Sequence, residues 1–427
     1  MDIDLVTIGT ELLLGFTVDT NSAFVGQVLG EAGVRIARRT SVRDDPSDIQ
    51  TAIGEALGRS RFVITTGGLG PTRDDMTKKV VAEIFGAPLE FQETIWEELV
   101  AKWARFGRKI SESNRCQAEV PRGATVLPNK RGTAPGLWLT GPLGEVVMLP
   151  GVPSEMKGLL REEVIPRLRA RTGGKAITSR VLRTTGIPES TLAERLAEVE
   201  DGLPPLSLAY LPGIEGVDLR LTAWDMTAEA AGPLLDRAAA AIRGVTGDHC
   251  YGTGDDDLAA VLLDRLRADG LTLAVAESCT GGMVGERLTN VPGSSDVFLG
   301  GVIAYANDLK TSLLDVDPAT VAEHGAVSAA VVTEMVAGVV RRTGADLAVA
   351  VTGVAGPGGG SDEKPVGTVW FGFSARGTGD VIRVGFPGTR ADIRGRASQF
   401  ALHGLWRRAL GSSGPPNPFP GLPPVRN

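Results

Sequence analysis

The sequence predicts an α/β protein made of an N-terminal parallel-sheet domain, a small α+β middle module and a C-terminal α/β domain. Apolar runs typical of buried strands alternate with helical segments over residues 1–165 and again over 257–410, as in a parallel sheet covered by helices. A chain of 427 residues also exceeds what one hydrophobic core usually supports. We therefore expect domains at residues 1–168, 176–251 and 255–410, and a disordered Pro- and Gly-rich tail at 411–427.

The N-terminal domain is predicted element by element. Apolar runs predict strands, and helical spacing predicts helices, in the order strand Asp4–Ile8, helix Ser22–Ala32, a helix after Pro46, strand Phe62–Thr65 and helix Met76–Phe85. Asn21 is the expected N-cap of the first helix and Gly33 its expected stop. The charged, Gly-containing stretch from Leu168 to Lys175 is expected to be a hinge.

The middle module has its own pattern of short elements. The pattern predicts strand Ile177–Thr184, helix Glu189–Glu198, strand Ser207–Tyr210, strand Val217–Ala223 and helix Ala228–Arg243. This order is typical of a small α+β fold. Because the segment is not basic, we expect a spacer or assembly element rather than an RNA reader.

Composition excludes several classes of function. Lys and Arg number 44 against 51 Asp and Glu, a net charge of −7, which argues against nonspecific nucleic-acid binding. The three cysteines, Cys116, Cys250 and Cys279, show neither metal-ligand spacing nor a disulfide framework. No apolar stretch approaches the roughly 20 residues of a membrane span, and Met1–Leu5 has no basic leader character. We expect a cytoplasmic protein without membrane contacts.

A serine turn is the strongest chemical signal. The segment Ala276–Gly282, AESCTGG, follows the apolar run Leu271–Val275 and opens a helical segment. A serine at such a turn is exposed, and the free amides of the helix start can stabilise an oxyanion. Ser278 is therefore a candidate nucleophile. The alternative is that the turn only allows close packing or binds a phosphate.

Downstream residues offer a base for that serine, the phenol of Tyr305 or the amine of Lys310. A histidine triad is not favoured, since none of the three histidines lies in a motif-like setting: His249, His324 and His403. A serine–lysine pair is a known arrangement when burial lowers the lysine pKa. Cys279 is the rival nucleophile, but neighbouring residues leaving a strand point in different directions, so only one of the two faces a substrate.

A second glycine-rich turn lies in the N-terminal domain, where Thr66–Asp75 reads TGGLGPTRDD before a helix. Glycines before a helix N-terminus suit a phosphate, whereas Asp74 and Asp75 repel one unless a divalent cation intervenes. The alternative is that Asp74 caps the helix and Asp75 stabilises its dipole. Further polar loops follow predicted strands and are expected to line the same crevice: 9–15, 19–21, 44–45, 129–136 and 149–156.

From about residue 257 to 410 the chain resembles the PncC-type nicotinamide mononucleotide amidohydrolase domain, and the whole chain resembles the CinA family. The motifs that carry the resemblance are AESCTGG at 276–282, LTNVPGSS at 288–295, GAVS at 325–328, TGVAGPGGG at 352–360, KPVGTV at 364–369 and FPGTRADIR at 386–394. It implies hydrolysis of nicotinamide mononucleotide to nicotinate mononucleotide and ammonia without a cofactor. Ser278 is then the nucleophile, activated by Tyr305 and Lys310.

Such a substrate carries an amide, a pyridinium and a phosphate, so the site needs an oxyanion hole and an anion cradle. The expected substrate-binding residues are Thr280, Gly281, Gly282, Thr352, Gly353, Gly356, Arg390 and Arg394. The first three are expected to supply amides to the oxyanion, and the two arginines to contact phosphate. Arginines spaced by four are otherwise typical of a solvated helix face.

The N-terminal half resembles the molybdopterin-binding domain of MoaB- and MogA-like proteins, in its CinA-family version. This implies hydrolysis of ADP-ribose to AMP and ribose 5-phosphate with a divalent metal, Mg²⁺ or Co²⁺. The expected metal or water-positioning residues are Glu11, Asp19, Asp44, Asp74 and Asp75. The expected nucleotide-binding residues are Asn21, Gly67, Gly68, Gly70, Gly132 and Thr133.

Other implications of the family resemblance concern assembly and alternatives. The middle module is expected to be KH-like, without the GXXG loop of RNA-binding KH domains. The expected partners are small nucleotides and a second copy of the chain in a homodimer. The alternative function is a pterin- or nucleotide-binding scaffold linked to competence or DNA damage.

Overall fold

The computed structural model describes residues 1–105, 107 and 109–412, so the predicted tail lies, from residue 413 on, outside the described residues. The chain divides into two compact units. The first contains Met1–Thr178 together with Ala223–Pro233, and the second contains Ser179–Thr222 and the described residues from Leu234 on. Among these residues, no helix has the length and apolar character needed to cross a membrane.

A six-stranded sheet forms the centre of the N-terminal domain, in the order β2-β1-β3-β8-β7-β6. The pairs β1/β2, β1/β3 and β3/β8 are parallel, and β6/β7 and β7/β8 are antiparallel. The strands are β1 (Asp2–Ile8), β2 (Arg35–Val42), β3 (Phe62–Thr66), β4 (Leu89–Phe91), β5 (Glu119–Pro121), β6 (Thr125–Leu127), β7 (Gly136–Gly141) and β8 (Gly144–Leu149). A separate two-stranded sheet pairs β4 with β5.

Helices cover both faces of this sheet, which explains why β3 is buried along its whole length and β1 from Ile3 on. They are α1 (Thr10–Leu13), α2 (Thr20–Glu31), α3 (Pro46–Ser60), α4 (Thr77–Ile84), α5 (Glu93–Arg105), α6 (Pro153–Leu159) and α7 (Ile165–Thr172). A wider, π-helical turn, Leu160–Val164, joins α6 to α7.

Two local predictions for this domain are wrong. The N-cap of α2 is Asp19, not Asn21, because the Asp19 carboxylate accepts the Ser22 amide at 2.9 Å. The predicted hinge is helical as far as Thr172. The helix ends where Gly173 takes the left-handed conformation, with φ of 63°.

The middle module has the connection order β-α-β-β-α-β. Its elements are β9 (Ala176–Thr184), α8 (Glu189–Asp201), β10 (Leu206–Pro212), β11 (Val217–Met226), α9 (Ala228–Thr246) and β12 (Cys250–Thr253). The sheet order β10-β11-β9-β12 places the first and third strands at the centre, as in a split βαβ fold. The predicted α+β pattern is confirmed.

One sequence reading of this module is corrected. The turn between β10 and β11 reads Gly213-Ile214-Glu215-Gly216, so a GXXG spacing is present after all. Its acidic residue, Glu215, pairs with Arg183 at 2.9 Å and Arg287 at 3.4 Å. The turn between β10 and β11 therefore carries a carboxylate that is already paired with two arginines, rather than a cationic surface that would bind the phosphates of a nucleic acid.

The C-terminal domain is a five-stranded sheet in the order β14-β13-β15-β16-β17. The first three of these strands are parallel and the last two pair antiparallel. The strands are β13 (Leu273–Glu277), β14 (Phe298–Ile303), β15 (Leu347–Gly353), β16 (Thr368–Ala375) and β17 (Thr378–Gly385). The helices are α10 (Leu258–Asp269), α11 (Met283–Thr289), α12 (Asn307–Leu314), α13 (Pro318–His324), α14 (Ala329–Thr343) and α15 (Arg390–Ala409).

Strand β13 is buried on both faces. Leu273 and Val275 pack into the cluster that includes α10 and α15, and Ala274 and Ala276 pack into the cluster that includes α14. This alternation follows from the period of two along a strand. Because β13 lies between two parallel neighbours, its carboxyl end opens at the edge of the sheet where ligands bind in α/β proteins.

Candidate functional sites

The nucleophile turn, residues 278–282, links β13 to α11. Its start is fixed because the Ser278 amide donates to the Val351 carbonyl of β15 at 2.9 Å. Gly281 and Gly282 have φ of 61° and 93°, a conformation that glycine adopts without strain. The chain thus turns sharply at the point where the serine leaves the sheet.

The structure brings Ser278 and Lys310 into contact. The Lys310 Nζ lies 3.1 Å from Ser278 Oγ and also donates to the carbonyls of Ala304, at 2.9 Å, and Tyr305, at 3.5 Å. Lys310 is only 1% exposed and Ser278 8%. Burial lowers the pKa of Lys310 below its ordinary value, which favours the neutral amine that a general base requires.

Cys279, the rival nucleophile, is buried. Its side chain belongs to the cluster formed with α10 and α15. Burial raises the pKa of Cys279 to about 12, so the reactive thiolate is strongly disfavoured. The geometry supports Ser278 over Cys279 as the nucleophile.

Tyr305 is placed differently from the prediction. Its side chain is 58% exposed in this structure, and its hydroxyl oxygen accepts a hydrogen bond of 2.7 Å from Arg390 Nη2. Within the described part of the chain, no hydrogen bond joins this phenol to Ser278. The contact of Tyr305 with Lys310 is made by its backbone carbonyl.

The oxyanion prediction needs a correction at two of its three residues. The Gly281 amide donates to the Ser278 carbonyl at 3.0 Å, and the Gly282 amide donates to the Glu277 carboxylate at 3.0 Å. Both donors are therefore engaged within the protein. The Thr280 amide has no oxygen acceptor among residues 1–105, 107 and 109–412.

Glu277 is a residue of this site that sequence reasoning missed. Its carboxylate is 1% exposed and accepts the amides of Gly282, Val284 and Gly285 at 2.8 to 3.1 Å. It thereby takes the position at the start of α11 that we expected an oxyanion to occupy. The available signal was an acidic residue directly before a helix N-terminus, where a negative charge is stabilised.

The two arginines of α15 hold neighbouring loops. Arg390 Nη1 donates to the Gly356 carbonyl at 2.7 Å, while Arg394 donates to the Thr280 carbonyl from Nε at 3.2 Å and Nη2 at 2.7 Å. For the described residues, neither guanidinium forms an ion pair with a carboxylate. Their two positive charges are thus held by neutral groups and remain uncompensated at the site.

Two predicted substrate-binding residues lie at the end of β15. The Thr352 hydroxyl is buried and donates to the Ala326 carbonyl at 2.9 Å. A side chain at Gly353 would lie 2.8 Å from the Thr368 carbonyl, so a residue larger than glycine would clash with β16. Binding of a substrate by these two residues stays a prediction.

In the N-terminal domain, the predicted crevice loops meet at the carboxyl ends of the parallel strands. A Cβ at Gly67, where φ is 105°, would lie 2.1 Å from the Ile8 carbonyl, and one at Gly68 would lie 2.1 Å from Thr77 Oγ1. These glycines let the loop after β3 pass close to β1 and α4. The Asn21 side chain joins the crevice by donating to the Gly151 carbonyl at 2.7 Å.

The loop containing Gly132 and Thr133 lies against α6. A Cβ at Gly132 would lie 2.0 Å from the carboxyl carbon of Glu155, and Asn129 Nδ2 donates to Glu155 Oε2 at 2.6 Å. Burial raises the pKa of Glu155. Lys102 donates to the Gly132 carbonyl at 3.1 Å. Sequence reasoning did not single out either residue: Glu155 lies in the expected crevice segment 149–156, but no role was assigned to it, and Lys102 lies in α5, outside every expected crevice loop.

The five predicted metal ligands are not gathered into a metal centre. Across the residues that the structure describes, no group of three or more His, Cys, Asp or Glu side chains is placed to hold a metal ion. The physical reason is that three of the carboxylates already accept backbone amides: Asp19 caps α2, Asp44 accepts the Thr10 amide at the start of α1 at 2.8 Å, and Asp75 accepts the Thr72 amide at 2.8 Å. Glu11 and Asp74 are exposed.

Gly70 belongs to the loop between β3 and α4. A Cβ at this position would lie 2.5 Å from the Asp75 carboxylate, so the glycine allows the loop to fold back onto α4. A hydrogen bond from the Thr72 side chain lowers the pKa of Asp74, which keeps that exposed carboxylate charged.

Three family models match successive parts of the chain. The model "Probable molybdopterin binding domain" matches residues 4–170, "Damage-inducible protein CinA KH domain" matches 179–252, and "CinA C-terminal domain" matches 255–409. The fold and the matches define an α/β protein with a MoaB-like parallel-sheet domain, a KH-like module and a CinA C-terminal domain.

Relatives that match over nearly the whole length give the family. A CinA-like protein of Gemmatimonas aurantiaca is 51% identical over 414 residues, covering 96% of this chain and 96% of the relative. A CinA-like protein of Parasynechococcus marenigrum is 45% identical over 417 residues, covering 96% and 99%. The chain belongs to the CinA family.

Solved structures include a competence-damaged protein (CinA) superfamily protein from Klebsiella pneumoniae. It is 36% identical, and the match covers 36% of this chain and 96% of that chain with a TM-score of 0.35.

Proposed function

We propose that the C-terminal domain is a serine amidohydrolase that converts nicotinamide mononucleotide to nicotinate mononucleotide and ammonia. The observation that carries this proposal is the buried contact of 3.1 Å between Lys310 Nζ and Ser278 Oγ. A hydroxyl beside an amine with a lowered pKa is an activated nucleophile. The resemblance of the 276–282 and 352–360 motifs to amidohydrolases of this substrate supplies the reaction.

The chemistry follows from these two side chains. Neutral Lys310 takes the proton of Ser278 Oγ while the oxygen attacks the carboxamide carbon, and the resulting oxyanion is stabilised by the Thr280 amide. Lys310 then gives the proton to the leaving nitrogen, which departs as ammonia. Water, deprotonated by the same amine, hydrolyses the acyl-enzyme ester and restores Ser278. No cofactor or metal is part of this proposal.

The charge of the site suits an anionic substrate. Arg390 and Arg394 have no carboxylate partner within the described residues, and each retains N–H groups beyond those used in its hydrogen bonds. A phosphate near α15 would compensate this positive charge.

A direct assay tests the proposal. Purified full-length protein is incubated with nicotinamide mononucleotide, and ammonia and nicotinate mononucleotide are measured in parallel. We expect the two products in equal amounts. A protein that binds the nucleotide but releases neither product would contradict the amidase assignment.

For the N-terminal domain we propose hydrolysis of ADP-ribose to AMP and ribose 5-phosphate, supported by a crevice of close-packed glycines at the carboxyl ends of parallel strands. The carboxylates do not fit a preformed metal centre, and we derive no step through a metal from them. Mg²⁺ needs only one or two carboxylates when substrate phosphates supply its other ligands. A requirement for Mg²⁺ or Co²⁺ is therefore part of the proposal.

The test for this domain is AMP formation from ADP-ribose with each metal added. Binding of a pterin or a nucleotide without any turnover would favour the scaffold function instead. Assembly as a homodimer also remains a proposal, which size measurement in solution tests.

A further inference from the structure

We propose that Arg394 is a positioning residue that holds the nucleophile turn in its reactive conformation, rather than a ligand of the substrate phosphate. The inference rests on the proposed amidase function and assigns a different role from the one that the sequence suggests for this arginine. The Arg394 guanidinium binds a backbone group of the turn, the carbonyl of Thr280, which follows Cys279.

The contact has two donors on one acceptor. Arg394 Nε and Nη2 lie 3.2 and 2.7 Å from the carbonyl oxygen of Thr280. A planar guanidinium that donates twice to one oxygen restricts the direction of that carbonyl. Since the Thr280 carbonyl belongs to the peptide unit that continues to Gly281, the contact sets the orientation of the turn just after the nucleophile.

The same turn is held at a second point. The buried Glu277 carboxylate accepts the Gly282 amide at 3.0 Å, together with two amides of α11. Glu277 thus fixes the end of the turn, and Arg394 fixes the Thr280 carbonyl in its middle. Ser278 begins this turn, and its hydroxyl needs a defined position to meet Lys310 Nζ.

Helix α15 provides a rigid base for Arg394. The helix starts with a capping box in which Thr389 and Asp392 exchange hydrogen bonds, an arrangement that stabilises a helix N-terminus. Arg390 lies one turn before Arg394 on the same face and holds two other loops, through the Gly356 carbonyl and the Tyr305 hydroxyl. The first turns of α15 thus link the three loops that carry the site.

Removal of Arg394 leaves the Thr280 carbonyl, in a residue that is completely buried, with only the more distant Met283 amide as a donor, at 3.4 Å. Buried polar groups are rarely left without a good hydrogen bond in folded proteins, so the turn should shift to find a closer donor. A displacement of about 1 Å at a reacting group costs on the order of 10²-fold in rate. A phosphate ligand, in contrast, would act through substrate affinity alone.

The experiment separates these roles with a probe that has no phosphate. A neutral sulfonyl fluoride labels an activated serine, and mass spectrometry of the full-length protein gives the rate at Ser278. The variants are Arg394→Ala and Arg394→Lys. Arg396→Ala is the matched control, since Arg396 lies on the same helix and makes no hydrogen bond or ion pair with any described residue.

We expect Arg394→Ala to label about 10²-fold more slowly and to lose kcat on nicotinamide mononucleotide by a similar factor, with a smaller change in KM. Arg394→Lys, which retains one donor, should recover part of both rates, and Arg396→Ala should match the wild type. Unchanged labelling with a raised KM in Arg394→Ala would overturn the proposal and make Arg394 a phosphate ligand.

Two further outcomes are distinguishable. If Arg394→Ala does not fold, as judged by circular dichroism, the labelling rate of Arg394→Lys decides: a rate equal to that of the wild type overturns the proposal, and a reduced rate supports it. If the wild type releases ammonia but is never labelled at Ser278, the nucleophile assignment fails, and the positioning role fails with it.

Discussion

The serine turn of the C-terminal domain and the glycine loop of the N-terminal domain occupy similar places, each after a buried parallel strand. They differ in what their polar groups already bind. Ser278 and Lys310 are in contact with each other, whereas Asp19, Asp44 and Asp75 each accept a backbone amide, Asp19 and Asp75 within their own turns and Asp44 from Thr10 at the start of α1. In the C-terminal domain the two candidate reacting groups are in contact. In the N-terminal domain the crevice is formed, but among the described residues its candidate metal ligands are not gathered.

This difference has a physical origin. An amine and a hydroxyl can pair in a dry site because neither needs to carry a charge there. Several carboxylates repel one another unless a cation is present, so in the described residues they are spread over the turns that they cap. We therefore expect the N-terminal site to depend on an added metal ion and the Ser278 site not to.

Chelation gives the largest expected contrast. With EDTA present, ADP-ribose hydrolysis should be lost, while ammonia release from nicotinamide mononucleotide should continue unchanged. Assays of both reactions on one preparation of the protein measure this. The double substitution Asp74→Asn with Asp75→Asn should reproduce the effect on the first reaction alone. Loss of the amidase in EDTA would break the proposed difference between the two sites.

Lys310→Ala should lower kcat of the amidase by on the order of 10²–10⁴, the contribution of a positioned base. Tyr305→Phe is the informative comparison. Its phenol contacts Arg390 and not Ser278, so we expect a smaller loss than for Lys310→Ala. Equal losses in the two variants, measured as ammonia release at saturating substrate, would return the phenol to the role of activating group.

The pH dependence of the amidase should follow the neutral form of Lys310. Burial lowers its pKa below 10.5, so kcat/KM should rise about tenfold per pH unit at low pH and level off below pH 10.5. A pH–rate profile on nicotinamide mononucleotide measures this directly. A profile that still rises above pH 10.5 would show that burial does not lower the lysine pKa.

The smallest expected effect concerns stability in acid. His403 is 0% exposed, and neither of its ring nitrogens has a hydrogen-bond partner among the described residues. Burial lowers the pKa of His403 to about 3. Because the unfolded chain binds the proton near pH 6.5 and the folded chain does not, the free energy of unfolding should fall as pH drops from about 6.5 to 3.

The slope for one such proton is about 1.4 kcal/mol per pH unit. Denaturant titrations of wild type and His403→Gln across this range test it, since the variant should show a shallower dependence. Identical slopes would mean that His403 takes up its proton in the folded state.

The sequence predicted the parallel-sheet architecture of the N-terminal domain, because strand burial is a local signal. The AESCTGG turn singled out Ser278, but the residues alone left Tyr305 and Lys310 open as its base, and the contact with Lys310 depends on the fold. The sequence could not predict that Glu277 binds the Gly282 amide and two amides of α11, since this depends on the direction in which a side chain leaves the strand. The role of Asp19 instead of Asn21 as a cap was also missed, because both residue types suit that position.

The metal ligands illustrate the same limit. Carboxylates in loops after strands indicate one edge of the sheet, but a loop sequence does not reveal whether an aspartate faces the crevice or accepts a hydrogen bond from its own turn. Asp75 accepts the Thr72 amide of its own turn, and Asp44 accepts the Thr10 amide at the start of α1. For Arg390 and Arg394, the spacing of four residues predicts that both lie on one face of a helix. Their carbonyl partners could not be predicted, because these belong to loops far away in the sequence.

A matched pair of neighbouring substitutions tests the serine mechanism most directly. Ammonia release from nicotinamide mononucleotide is measured for Ser278→Ala and Cys279→Ala, with folding checked by thermal denaturation. The Ser278–Lys310 contact predicts that Ser278→Ala abolishes release and that Cys279→Ala, which only trims a buried side chain, largely retains it. Retained release in Ser278→Ala together with its loss in a folded Cys279→Ala would contradict the serine mechanism.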